Sequence, residues 1–76
     1  MTSACILVRT QRGKFEDAVR TIEKIKTVNR VFPVLGRYDI VVDIESMDAR
    51  KLGADTLRIS KISGVVFTET LMEIQN

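Results

Sequence analysis

Apolar side chains recur along this chain in two alternating rhythms. Ser3-Ala4-Cys5-Ile6-Leu7-Val8-Arg9 is a short, nearly continuous apolar run whose length and β-branched content predict a strand covered on both faces. Thr10-Gln11-Arg12-Gly13 is a polar connection. From Lys14 the period lengthens: Phe15, Ala18, Val19, Ile22 and Ile25 recur at steps of three and four, with Glu16, Asp17, Arg20, Glu23 and Lys24 between them. That is an amphipathic helix ending near Lys26. Val28 to Leu35 reads as a second strand, and Pro33, which has no N–H to donate, puts it at a sheet edge. Gly36-Arg37 makes a tight corner. Tyr38 to Glu45 is the third strand, with Tyr38, Ile40, Val42 and Ile44 on one face and Asp39, Val41, Asp43 and Glu45 on the other. Ser46 or Asp48 is placed to cap a second helix. Its stripe is Ala49, Leu52, Thr56, Ile59 and Ile62, and Ser63-Gly64 ends it. Gly53 weakens this helix by roughly 1 kcal/mol relative to alanine. Val65 to Ile74 is the last strand, and Gln75-Asn76 trails off.

The predicted order is β-α-β-β-α-β in one domain spanning residues 1–76. Right-handed crossovers turn that order into an α+β, ferredoxin-like arrangement: a four-stranded antiparallel sheet with both helices on one face. The first and last strands nevertheless carry apolar residues on both sides. Ile6 and Val8 oppose Cys5 and Leu7, and Phe67 and Leu71 oppose Val66, Met72 and Ile74. A lone molecule would expose a large apolar patch on the side away from the helices. Two such sheets are therefore expected to pair in a homodimer.

Size sharpens that expectation. A 76-residue domain buries only about 60% of the surface its unfolded chain exposes and is marginal alone. One cysteine, Cys5, cannot form an internal disulfide, and with no histidine there is no plausible zinc site. Oligomerisation is the remaining remedy. The net charge of +2 is spread rather than clustered, so charge gives no argument for nucleic acid. No stretch approaches the roughly 18 apolar residues of a membrane span, and no basic start precedes a long apolar run. These features and the single cysteine point to a cytoplasmic protein without a membrane partner.

Few residues offer chemistry. Cys5 sits mid-strand with no histidine to activate it, so core packing is the simpler role. Arg12-Gly13-Lys14 precedes a helix but lacks the glycine-rich loop and the Lys-Ser/Thr ending of a phosphate cradle. Asp39, Asp43 and Glu45 alternate on one strand face, where solvation or cross-strand pairing is commoner than a hard cation. No cofactor or metal is expected. RNA-recognition domains share the element order, and Gly36-Arg37-Tyr38 echoes their basic-glycine-aromatic strand. Here the position two after the aromatic is Ile40, and the first strand has no aromatic at all. The corner is the better candidate. Gly36 opens backbone conformations closed to other residues and leaves amides approachable. Tyr38 supplies a flat wall and a hydroxyl, and Asp39 a negative charge. Thr68 and Thr70, two apart on a strand, present both hydroxyls to one face. Amides for a carboxylate, an acid for an ammonium and nearby hydroxyls suit a zwitterion. A plain hairpin turn beside an edge strand is the alternative.

Val34-Leu35-Gly36-Arg37-Tyr38-Asp39-Ile40-Val41-Val42, Lys61-Ile62-Ser63-Gly64-Val65 and Thr68-Glu69-Thr70-Leu71 together resemble the effector-binding (regulation of amino acid metabolism) domain of the Lrp/AsnC transcription regulators. The resemblance covers essentially the whole chain. It implies dimers that often assemble further, as dimers of dimers or octamers, with amino acids bound near dimer–dimer contacts. Gly36, Tyr38 and Asp39 match the family's G-x-Y-D loop, and Thr68 and Thr70 its last strand. Glu69 matches in type but points away from the threonines. Arg37 departs from the family's usual smaller or acidic residue; its cation would favour an acidic or polar ligand, or pair with Asp39. Pro33 interrupts a strand that is usually continuous. With Met1 two residues before the first strand, the chain resembles a stand-alone member without the helix-turn-helix domain, and no direct DNA binding is expected.

The expected function is therefore a non-enzymatic, amino-acid-sensing module. Its ligand site would comprise Gly36, Arg37, Tyr38, Asp39, Thr68 and Thr70. A structural subunit that mixes with full-length Lrp/AsnC regulators without a ligand is the second reading. A small ferredoxin-like enzyme is the third, and the plainly apolar helix stripes offer it no proton-transfer groups.

Overall fold

A computed structural model of the chain describes residues 1–74. The expected trailing of Gln75-Asn76 lies outside the described residues. The elements are β1 (Thr2–Thr10), α1 (Phe15–Glu23), β2 (Val28–Pro33), β3 (Ile40–Ser46), α2 (Ala49–Ser60) and β4 (Val65–Met72). The strands form one antiparallel sheet in the order β2-β3-β1-β4. This is the predicted α+β, ferredoxin-like topology, and Pro33 lies in the edge strand β2 as its missing N–H requires.

Strand alternation divides the sheet into unlike faces. Ala4, Ile6 and Val8 of β1 and Ile40, Val42 and Ile44 of β3 turn inward and are at most 6% exposed. They meet Ala18, Ile22 and Ile25 from α1 and the turn after it, and Leu52 and Ile59 from α2. Cross-strand partners share a face. Cys5 opposite Asp43 and Leu71, Leu7 opposite Val41 and Glu69, and Arg9 opposite Phe67 therefore lie on the face away from the helices. Phe67 and Leu71 there remain about half exposed, at 52% and 48%.

Several boundaries differ from the sequence expectation, each for a local reason. α1 stops at Glu23 rather than near Lys26. Ile25 still reaches the core, but from a turn in which its N–H bonds to the Ile22 carbonyl. That turn delivers Thr27 to Asp55. The two are 7% and 8% exposed, and the Thr27 hydroxyl donates to the Asp55 carboxylate over 2.8 Å. In α2 the inner stripe is Leu52, Asp55 and Ile59, while Ala49 is exposed. Asp48 caps α2 by accepting from the Arg50 N–H at 2.9 Å, and Ser46 accepts from the Asp48 N–H at 3.1 Å, so both candidate caps are engaged. α2 ends at Ser60, before Ser63-Gly64. Gly64 has φ +93°, and a Cβ there would lie 2.9 Å from the Lys14 Cβ. This closeness lets the Gly64 carbonyl accept the Gln11 N–H at 2.7 Å, tying the end of β1 to the start of β4. β4 ends at Met72, and Ile74 is exposed.

Candidate functional site

The expected two-residue corner at Gly36-Arg37 is a longer loop. β2 ends at Pro33 and β3 begins at Ile40, so Val34 to Asp39 form a connection that the Val34 N–H closes onto the Asp39 carbonyl at 2.9 Å. Tyr38 is part of this loop and not of β3. Gly36 has φ +146° with open space around its missing Cβ, so the backbone angle, and not crowding, requires glycine.

Three anchors fix the loop to the sheet. The Asp39 N–H donates to the Val8 carbonyl at 2.8 Å. Asp39 Oδ2 accepts the Thr10 N–H at 2.7 Å and lies 3.4 Å from the Thr10 hydroxyl. The Arg9 guanidinium donates to the Arg37 carbonyl at 3.3 and 3.2 Å. Between them, the N–H groups of Leu35, Gly36, Arg37 and Tyr38 donate to no protein acceptor among the described residues. Asp39 Oδ1 likewise accepts no hydrogen bond there. The Arg37 side chain forms no ion pair with Asp39 among the described residues.

Tyr38 leaves the loop toward the face without helices. Its ring stacks on Phe67 with centroids 6.4 Å apart and planes 23° from parallel. Its hydroxyl donates to the Glu69 carboxylate. That hydrogen bond, with lesser contributions from desolvation and the Glu69 charge, pushes the Tyr38 pKa above the ordinary 10.0, against opposing pulls from Arg37 and Arg9.

The candidate residues therefore divide. Gly36, Arg37, Tyr38 and Asp39 sit together in one loop. Thr68 and Thr70 face inward, opposite Val8 and Ile6, and are half-buried on the helix side. Within one chain, Tyr38 meets Phe67 and Glu69 and not the threonines. The parity of the last strand contained this signal, because Glu69 and Phe67 share the face opposite to Thr68 and Thr70.

One depression adjoins this geometry and another lies apart from it. One, of about 360 Å³, is lined by Phe15, Pro33, Val34, Leu35 and Asp39, so it adjoins the loop and holds a single carboxylate among apolar walls. Phe15, read as part of the helix stripe, faces this depression and is outside the core cluster. A larger one, of about 520 Å³, lies at the far end of the helix-free face between Ser3, Cys5, Asp43, Glu45 and Leu71. Burial, then the Asp43 charge and a hydrogen bond to Asp43, push the Cys5 thiol up, so it stays a protonated, poor nucleophile. Asp39 is engaged with Thr10 and stands apart from Asp43 and Glu45, and no cluster suited to a metal occurs among the described residues. No described helix is long and apolar enough to cross a membrane.

The chain is similar to known proteins along most of its length. The model of the Lrp/AsnC ligand binding domain matches residues 3–76. A curated relative, the HTH-type transcriptional regulator FL11 of Pyrococcus abyssi, is 28% identical over 72 residues, which is 95% of this chain and 48% of the relative. The chain thus spans about half the length of the curated relatives it matches. Among solved structures, TTHA0845 from Thermus thermophilus superposes with a TM-score of 0.91 at 27% identity, covering 100% of this chain and 96% of that one. The hypothetical protein PHS023 from Pyrococcus horikoshii superposes with a TM-score of 0.88 at 27% identity, covering 100% and 93%.

Proposed function

The chain belongs to the Lrp/AsnC ligand-binding domain family, and on that premise we propose that it binds a free amino acid and relays binding to a regulatory assembly. One observation carries this reading: one loop holds four undonated amides and an Asp39 carboxylate that still has a free oxygen among the described residues. Amides oriented by a positive-φ glycine suit a carboxylate, and the free Asp39 oxygen suits an ammonium. The curated relatives are named as transcriptional regulators, which favours a regulatory over an enzymatic role.

The regulatory part rests on the helix-free face. Its Phe67 and Leu71 are half exposed, and a second copy related by a two-fold axis would cover both sheets at once. Tyr38 joins this face to the ligand loop through Phe67 and Glu69. A ligand that prefers one loop position would then bias the assembly, because it stabilises whichever state it binds better. Thr68 and Thr70 would contribute across a contact between subunits and not within one chain.

Calorimetric titration with the twenty amino acids tests the proposal. At least one should bind. Asp39→Asn, which retains an acceptor for the Thr10 N–H but loses the charge, should weaken it by about tenfold or more, the scale of a charged hydrogen bond. Absence of any binding, or an unchanged affinity in Asp39→Asn, contradicts it.

A further inference from the structure

The depression beside Asp39 says more than that an amino acid fits. We propose that it is a side-chain pocket and that it selects amino acids with apolar side chains. This rests on the amino-acid reading above and names the class within it. Phe15, Pro33, Val34 and Leu35 form its walls, and Asp39, the proposed ammonium partner, is its only charged lining residue among the described residues. Its volume of about 360 Å³ falls within the roughly 300–1,000 Å³ of small-molecule sites, which are mostly apolar with a few placed polar groups. An ammonium held at Asp39 leaves the rest of the ligand beside those four side chains.

The charges around it support the same choice. Arg37 departs from the family pattern and by its sign would draw an acidic ligand, but it does not line this depression. Its carbonyl is held by Arg9. Glu16 and Arg20 line an adjoining, smaller depression that shares Phe15 and Pro33. Arg20 is already paired with Asp17. Leu35 stands fully exposed, so the preference comes from apolar contact. An apolar side chain resting on Phe15, Pro33 and Val34 removes apolar surface from water, and a polar one gains no side-chain partner from those three.

Phe15 is the residue to test, because it lies outside the buried core and the hydrophobics packed on it. In titrations of the intact protein, leucine, methionine or phenylalanine should bind about tenfold or more tighter than aspartate, lysine or serine, the scale on which apolar pockets discriminate. Phe15→Ala should weaken leucine by about tenfold and leave glycine unchanged. Equal or tighter binding of a polar amino acid overturns the inference while leaving the amino-acid reading intact. So does leucine affinity unaltered by Phe15→Ala. Binding by none of the twenty overturns both. If in addition Leu35→Ser lowers the sedimenting mass, the depression receives a second copy and not a small molecule.

Discussion

The two faces of the sheet are built from the same kinds of residue and reach opposite outcomes. On the helix side, Ala4, Ile6, Val8, Ile40, Val42 and Ile44 are closed over by α1 and α2 and lose almost all contact with solvent. On the other side, Leu7, Val41, Phe67 and Leu71 alternate with Cys5, Asp43 and Glu69 and are covered by no described element of their own chain. One face is satisfied by local sequence, through two amphipathic helices. The other is covered by no described element, and under the proposed function it is assigned to a second copy. The loop of the candidate site stands at the boundary: Asp39 is bonded to β1, Phe15 of α1 borders the adjoining depression, and Tyr38 lies over Phe67 on the uncovered side.

The largest expected effect lies on the covered face. Ile6→Ala should destabilise the fold by about 2–5 kcal/mol, as buried aliphatic truncations do, measured by urea denaturation. An equal loss from Leu71→Ala at matched protein concentration would erase the contrast between the faces. Next comes Thr27→Val, which leaves the buried Asp55 carboxylate without its hydroxyl partner. The expected cost is about 1–3 kcal/mol, and an unchanged denaturation midpoint would show that the pair carries no weight.

Both faces are legible in the chain because side chains alternate along a strand. The apolar run of β1 divides its side chains between the faces as that alternation requires, and Pro33 marks the edge. In β4 the alternation holds from Phe67 onward, but a register shift opposite Arg9 and Thr10 packs Val65, and not Val66, against the core and leaves Val66 exposed. Elsewhere the sequence pattern and the fold part for identifiable reasons. Tyr38 continues the parity of Ile40, Val42 and Ile44, so the strand seemed to begin there. In fact the chain is still in a loop, and the ring crosses to the other face to stack on Phe67. Ile25 extends the helical stripe beyond the end of α1 because a turn can present a side chain to the core as well as a helix can. Asp55 lies three residues after Leu52 and four before Ile59, squarely on the inner stripe. The sequence does not show what partners an acid there, because Thr27 is distant along the chain. The loop of the candidate site is visible in the sequence from Gly36 and Asp39. The apolar depression beside it is not, because it needs α1 and the end of β2 brought side by side.

Smaller effects sharpen the comparison at its boundary. Tyr38→Phe keeps the stack on Phe67 but removes the hydroxyl that donates to Glu69. Amide exchange at Val34 and Asp39, whose N–H groups are bonded within and beneath the loop, should quicken, while the Ile6 and Val42 amides are unaffected. Uniform quickening would indicate a global role for the hydroxyl. The subtlest effect is on pH. The Tyr38 pKa is raised in the fold, so its contribution is complete below the ordinary value of 10.0 and is lost only as pH rises through the higher folded value. A tyrosinate absorbance titration should therefore run above that of Glu69→Gln. Coincident curves would remove the hydrogen bond from the account.

The claim on which the rest depends is that the helix-free face is an interface between copies. Sedimentation equilibrium at low micromolar concentration tests it directly. The account predicts a species of at least twice 8.6 kDa that falls toward the single-chain mass in the Phe67→Lys, Leu71→Lys double variant with its secondary structure retained. A stable, folded species of 8.6 kDa for the unaltered chain would contradict it.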